Sequence, residues 1–252
     1  MNIVLFTSPG TNGSIVFQHL QKKYTVLGVV YDSPVSKKIM IRRRIKKLGY
    51  WKVFLQLLFM KGVTPLLQLE SKKRQDSILK GYNVSSLENF ANIYKPSSIN
   101  DPKVIDFVNN LNADFVMVCG TRLIKKNIIE NINIPLINMH VGITPKYRGV
   151  HGGYWALVNK DSENCGVTVH LIDTGIDTGG IISQKIISPS KSDNYSTYPS
   201  LQIIKGLDCI DEAVQKLKQG KLTTFENGLP SKLYYHPTII EYLYHRVFKG
   251  VK

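Results

Sequence analysis

Residues 2–31, NIVLFTSPGTNGSIVFQHLQKKYTVLGVVY, decide the fold. Residues 2–7 form an apolar run that ends in Ser8-Pro9-Gly10-Thr11-Asn12-Gly13-Ser14, a stretch of turn formers. Residues 15–22 then space their apolar side chains as a helix does, and residues 25–31 form a second apolar run. Strands without a polar face are covered on both sides, as in a parallel sheet layered by helices. Strand, glycine-bearing turn, helix and strand together predict a doubly wound α/β fold.

The alternation continues outward from this unit. Residues 113–120 read as a third strand, 123–130 as a short helix, 136–140 as a strand and 166–170 as another. A long insertion, about 36–80, separates the second and third strands. In it, Ile41, Ile45, Leu48, Leu55 and Leu58 fall near helical spacing with Gly49 as a break. This predicts two helices, the first basic and the second apolar. A basic amphipathic helix can lie on an anionic membrane surface; a solvated basic face beside a core helix is the plainer alternative. After Pro189, residues 201–219 and 238–248 read as helices. Residues 221–225 and 231–235 flank Asn227-Gly228, a hairpin signal. The expected organisation is a catalytic domain over 1–189 and a helical and hairpin extension over 190–252. That extension is short for an independent core and reads as an appendage or dimer element. The fold class expected is α/β, a doubly wound mostly parallel sheet with a short C-terminal helix and β-hairpin appendage.

Composition narrows the class further. The 252 residues suit one large domain, and no run approaches the ~20 uninterrupted apolar residues of a membrane span. Cys119, Cys165 and Cys209 show no CxxC spacing, so neither a disulfide framework nor a thiolate metal site is expected. With a first segment that reads as a strand rather than a signal, the expectation is cytoplasmic. A net charge of +15 attracts anionic partners: nucleic acid, acidic lipid headgroups, or phosphorylated and polyglutamylated small molecules.

The chemistry is concentrated between residues 136 and 184. Asn138 and His140 are two apart at the end of a strand, so they share a face. That strand end is where open α/β sheets bind ligands. Farther on, Asp173-Thr174-Gly175-Ile176-Asp177-Thr178-Gly179-Gly180 sets two carboxylates among glycines that let a ligand approach closely. No metal-ligand spacing is present.

At these residues the chain resembles the formyltransferase family that uses 10-formyltetrahydrofolate. That family carries an Asn-x-His strand end, a loop of the form (S/T)-x-(L/T)-P-x-(Y/W)-R-G, a G-x-(T/S)-V strand, and (L/I)-D-(T/G)-G. The matching residues are Asn138-Met139-His140, Ile143-Thr144-Pro145-Lys146-Tyr147-Arg148-Gly149, Gly166-Val167-Thr168-Val169 and Ile176-Asp177-Thr178-Gly179. The resemblance implies a Rossmann-like fold and N-formyl transfer from 10-formyltetrahydrofolate without a metal. It assigns catalysis to Asn138, His140 and Asp177, with Asp173 as the rival carboxylate because Asp-Thr-Gly occurs twice. It assigns the folate to Arg122, Leu123, Ile124, Ile172 and Ile176. For the acceptor it points to Ser8, Gly10, Thr11 and Asn12, which resemble a phosphate-holding loop, and to Lys146, Tyr147, Arg148, Gly149, Tyr154 and Trp155. Tyr154 and Trp155 are equally well explained as core residues of a following helix.

Among the family's branches the chain is most similar to the sugar N-formyltransferases. The implied acceptor is a nucleotide-linked amino-deoxy sugar, best a dTDP-4-amino-4,6-dideoxyhexose, used for surface polysaccharide such as O-antigen. The tail after Pro189 is short for the barrel of the family's methionyl-tRNA enzymes. The glycinamide ribonucleotide enzymes lack the basic insertion. Both acceptors stay as alternatives, as does a non-catalytic nucleic-acid- or membrane-binding protein on the same scaffold. A homodimer and a peripheral membrane contact complete the expectations.

Overall fold

The computed structural model describes residues 1–82 and 86–252. Strand β1 (Asn2–Thr7) leads through Gly10, whose φ of 142° turns the chain directly into helix α1 (Thr11–Lys23). The helix therefore starts four residues earlier than its apolar spacing suggests. β2 (Thr25–Tyr31) follows, then the insertion: α2 (Lys37–Leu48), α3 (Tyr50–Leu58), a π-helical turn (Phe59–Val63), α4 (Thr64–Glu70) and α5 (Lys72–Ile78). Gly49 breaks α2 from α3 as expected, with φ at 84°. The run Tyr50–Glu70 is long and apolar enough, by length and composition, to cross a membrane, and only 22% of its apolar 18-residue window is buried. The count of uninterrupted apolar residues overlooked it because Lys52, Gln56 and Lys61 break the run.

After β3 (Ile93–Tyr94) come α6 (Lys103–Asn109), β4 (Phe115–Cys119), α7 (Lys126–Asn131) and β5 (Leu136–His140). Helix α7 begins at Lys126 rather than 123. The Asn100 side chain holds the Lys125 N–H (2.7 Å) and the Leu123 carbonyl (3.0 Å), keeping this segment a loop. Next are β6 (Arg148–Gly149), α8 (Gly152–Val158), β7 (Gly166–Leu171), β8 (Ile181–Ile186), α9 (Tyr198–Lys218), β9 (Leu233–Tyr234) and α10 (Ile239–Phe248). Thr238 and Glu241 close α10's first turn as a capping box.

Among the described residues, seven strands make one sheet in the order β3-β2-β1-β4-β5-β7-β8. From β3 to β5 the neighbours are parallel; β7 and β8 are antiparallel. Successive residues of β1 face opposite layers, as strand geometry requires. Ile3 and Leu5 pack with Ile15 and Leu20 of α1 and Leu207 and Ile210 of α9, while Val4 and Phe6 pack with Val104 and Val108 of α6 and Ile128 of α7. The order reverses at β1, and that switch point opens a crevice at the carboxyl ends of β1, β4 and β5.

Two expectations are corrected here. Helix α9 shares the core of the sheet, so residue 189 is no boundary in packing; the small appendage is the segment after α9. Nor do residues 221–225 and 231–235 form a hairpin. β9 pairs in parallel with β6 instead, and Phe225 bridges Ile181. The Asn227 amide donates to the Thr144 carbonyl (2.8 Å) and to Gln184 Oε1 (3.1 Å), which ties the Asn-Gly turn to the body of the protein.

Because Ile210 is fully buried between α9 and the sheet, Ile210→Ala is expected to lower unfolding free energy by about 2–4 kcal/mol. Urea denaturation measures it; a loss below about 0.5 kcal/mol would show α9 to be peripheral.

Candidate active site

The site grows from the period-two alternation of β5. Ile137 and Met139 enter the core beneath α1 and α9. Asn138 and His140 must then project from the other face, where β5 ends and the crevice begins. Antiparallel pairing adds β7: Asn138 lies opposite His170 and His140 opposite Thr168. The loop between β7 and β8 folds back over this pair and delivers Asp177.

Asp177 Oδ2 lies 3.5 Å from His140 Nδ1, and Oδ1 lies 3.8 Å from His170 Nε2. The Gly149 N–H donates to Asp177 Oδ2 at 3.0 Å, and Arg148 Nη1 holds the neighbouring Ile176 carbonyl at 2.8 Å. Asp177 has φ at +52°, a left-handed conformation rare for a residue with a Cβ. Asp173 lines the same cleft but makes different contacts. It is exposed, and its carboxylate accepts from the Gly175 N–H and the Thr178 hydroxyl, bracing its own loop. Of the two carboxylates, Asp177 is the one that faces the imidazole.

The hydrogen bonds select tautomers. His140 Nε2 is 2.8 Å from the Tyr147 carbonyl, which only accepts, so Nε2 carries the proton. In the neutral ring Nδ1 then holds its lone pair toward Asp177. Burial keeps the His140 imidazole below its ordinary value, against the upward pull of Asp177 and the Tyr147 carbonyl. Burial pushes Asp177 upward, but His140, His170 and the Gly149 N–H outweigh it and bring the carboxyl to about 2. At neutral pH the pair is an ionised carboxylate beside a neutral base. His170 Nδ1 lies 2.7 Å from the Leu171 carbonyl, and its Nε2 lies 3.1 Å from the Asn138 amide nitrogen. That contact orients the amide and leaves its second N–H for the cleft. Gly142 completes the fit: a Cβ there would collide with the Tyr147 carbonyl and come within 2.7 Å of His140 Nε2.

Asn138, His140, His170 and Asp177 line a cleft of about 430 Å³, within the range of small-molecule sites. The expected folate-binding residues Arg122, Leu123, Ile124, Ile172 and Ile176 all line it. The Arg122 guanidinium, however, is engaged. It pairs with buried Asp32 at 2.9 Å and also donates to the Ser33 carbonyl, fastening the loop after β4 to the end of β2.

Of the expected acceptor residues, Asn12 and Gly149 line the cleft. Ser8, Gly10 and Thr11 stay outside its wall, because α1 begins at Thr11 and presents Asn12 instead. Lys146 pairs with Asp161 at 2.6 Å. Tyr147 is fully buried with its hydroxyl on Asp161 (2.7 Å), Tyr154 is buried against His245 Nδ1 (2.7 Å), and Trp155 donates to the Tyr235 carbonyl (2.9 Å). These four side chains are engaged within the protein and lie outside the cleft wall. Arg148 positions the Asp177 loop rather than lining the cleft. Residues the sequence reading passed over also line it: His170, Lys47 of α2, and Leu233, Tyr234 and Tyr235 from the C-terminal segment. Only His170 left a signal, at an alternate position of a strand that carries one of the quoted motifs.

Comparison with known proteins follows from this geometry. The formyl transferase family model matches residues 63–199, more than half of the chain; the chain belongs to that family. A methionyl-tRNA formyltransferase of Thermodesulfovibrio yellowstonii is 35% identical over 130 residues, covering 51% of this chain and 42% of the relative. The chain thus spans less than half the length of that curated relative. Two solved structures share the fold. A sugar N-formyltransferase from Shewanella sp. FDAARGOS_354 aligns with a TM-score of 0.58 at 14% identity, covering 93% of this chain and 76% of that one. An N-formyltransferase from Helicobacter canadensis, in complex with folinic acid and dTDP-3-aminofucose, aligns with a TM-score of 0.58 at 17% identity, covering 93% and 71%.

Asp177 raises the His140 pKa, so Asp177→Asn is expected to lower it further and keep the ring neutral to more acid pH. Imidazole nitrogen shifts in a pH titration by NMR read this out. An unchanged or raised His140 midpoint would refute the pairing.

Proposed function

We propose that the chain transfers a formyl group from 10-formyltetrahydrofolate to the amine of a nucleotide-linked amino-deoxy sugar, a dTDP-4-amino-4,6-dideoxyhexose fitting best. The observation that carries this is a neutral imidazole with its Nδ1 set 3.5 Å from a half-buried carboxylate, beside an amide N–H, at one cleft. The donor supplies an activated formyl carbon. The cleft fits it: Leu123, Ile124, Ile172 and Ile176 offer apolar walls, and Gly120, at φ +75° with open space where a Cβ would stand, leaves the backbone approachable.

The residues divide the work. Asn138 donates its remaining N–H to the formyl oxygen as negative charge gathers there. One such preorganised donor contributes about 3–4 kcal/mol in comparable sites. His140 Nδ1 accepts the proton that the attacking amine releases on forming its new C–N bond. The resulting imidazolium is balanced by Asp177, whose negative charge is already in place. His140 then returns the proton to the nitrogen that departs. His170 acts through Asn138 as a positioning residue. No step requires a metal.

The sugar acceptor is supported by the likeness in fold to the Shewanella and Helicobacter enzymes. Methionyl-tRNA is a second reading, favoured by the sequence match to the Thermodesulfovibrio enzyme. Acceptor panels separate them, with mass spectrometry reading the gain of one formyl unit. Formylation of methionyl-tRNA alone would overturn the sugar assignment, and formyl release without acceptor would make the chain a hydrolase.

With the matched acceptor, His140→Ala is expected to cut kcat about 10²–10⁴-fold and Asn138→Ala about 10²–10³-fold, with Asp173→Asn within about twofold. Wild-type activity is expected to decline as pH falls through the depressed His140 pKa, below the ordinary imidazole value, because protonation removes the base. Full turnover by His140→Ala would overturn the mechanism.

A further inference from the structure

The insertion after β2 carries a feature that the formyl-transfer site does not use. Between Asp32 and Glu70 the chain has nine Lys and Arg residues and no acidic one. None of those nine cations forms an ion pair among the described residues: Arg44 contacts Met60 Sδ at 3.6 Å and Lys47 lies over the Tyr235 ring at 5.4 Å. Lys37, Lys38, Arg42, Arg43, Lys46 and Lys47 of α2 are exposed, as are Lys52 and Lys61.

Next to this charge lies apolar surface. Helix α3 buries Val53 and Gln56 toward the protein, and the Gln56 amide donates to the His236 carbonyl. Its opposite face is apolar too and lies open: Tyr50, Phe54 and Leu58 recur at helical spacing with Trp51 beside them, 73% exposed. Tyr50 stacks on Phe54 and Trp51 meets Phe54 edge-on, so the rings form one exposed cluster. Leu66 and Leu69 of α4 and Ile39 of α2 are exposed as well. An apolar face of this size open to water belongs against a core, a partner or a bilayer.

We propose that α2, α3 and α4 form a docking surface for an anionic lipid bilayer, with the aromatic cluster entering the headgroup region and the α2 cations on lipid phosphates. Aromatic and aliphatic side chains beside a polybasic helix are the chemistry of an interfacial segment. A second copy of this chain fits less well, since it would bring a like-charged α2 against the first. An RNA backbone would use the cations but leave Leu58, Leu66 and Leu69 without a role. Lys47 belongs to α2 and also lines the formyl-transfer cleft, so docking holds the cleft wall close to the lipid.

The test is co-sedimentation of the whole chain with vesicles of phosphatidylcholine, alone or with about a quarter phosphatidylglycerol. Binding is expected to the anionic vesicles only, and to weaken steeply from about 0.1 to about 0.5 M salt. The triple variant K38Q/R42Q/K46Q is expected to bind about 100-fold more weakly, at about fivefold per cation. Trp51 emission is expected to shift to the blue on binding, while Trp51→Ser with Phe54→Ser weakens partitioning and leaves formyl transfer and the melting temperature unchanged. No binding to anionic vesicles overturns the proposal. So does a lipid-free dimer that Trp51→Ser dissociates, or binding to double-stranded RNA in place of vesicles.

Discussion

The hydrogen bond from the Gly149 N–H to Asp177 Oδ2 joins the two segments on which the site depends. Gly149 is fixed from behind, because β6 pairs with β9 and a Cβ at Gly149 would collide with the Tyr234 carbonyl. The N–H it presents is therefore set by residues from the far end of the chain. Asp177 accepts that bond in a left-handed conformation that costs about 1 kcal/mol or more for a residue with a side chain. The contact, together with the Arg148 grip on the Ile176 carbonyl, offsets that cost and holds the carboxylate at the His140 ring. The C-terminal segment therefore bears on the site through the backbone of β6 that it holds.

Two electrostatic regimes coexist in one small molecule. Around His140 and Asp177 burial dominates: it keeps the imidazole neutral, while three nearby donors and rings keep the carboxylate ionised. The net charge of +15 has little say there, because exposed charges are screened over about 10 Å at ordinary salt. On the insertion the balance is the opposite. Eight of the nine cations, with no acidic residue between them in the chain, face solvent, and their effect is long in range and open to salt. The proposed chemistry and the proposed docking thus rest on separate physics, and each can fail without the other.

Much of the framework is legible in the residues. Unbroken apolar runs at β1 and β2, the glycine-bearing turn between β1 and α1, and the break at Gly49 were all readable, since each depends on neighbours in the chain. The pair Asn138 and His140 was readable for the same reason: period two on a strand puts them on one face. The choice of Asp177 over Asp173 came from likeness to a family, and the structure places Asp177 at the imidazole.

What the sequence by itself determined is local: element types, the face each side chain takes, and the charge of the insertion. Tertiary structure alone decided which distant residues meet. His170 reaches Asn138 only through antiparallel pairing of β5 with β7, Arg122 is drawn onto Asp32 from another strand end, and Asn227-Gly228 is pulled from a hairpin by Thr144 and Gln184. Tyr147 and Trp155 are engaged within the protein because Asp161 and the Tyr235 carbonyl are there to receive them. The physical reason is that backbone geometry repeats over a few residues, whereas the partner of a buried polar group is whichever donor or acceptor the packed core brings within about 3 Å.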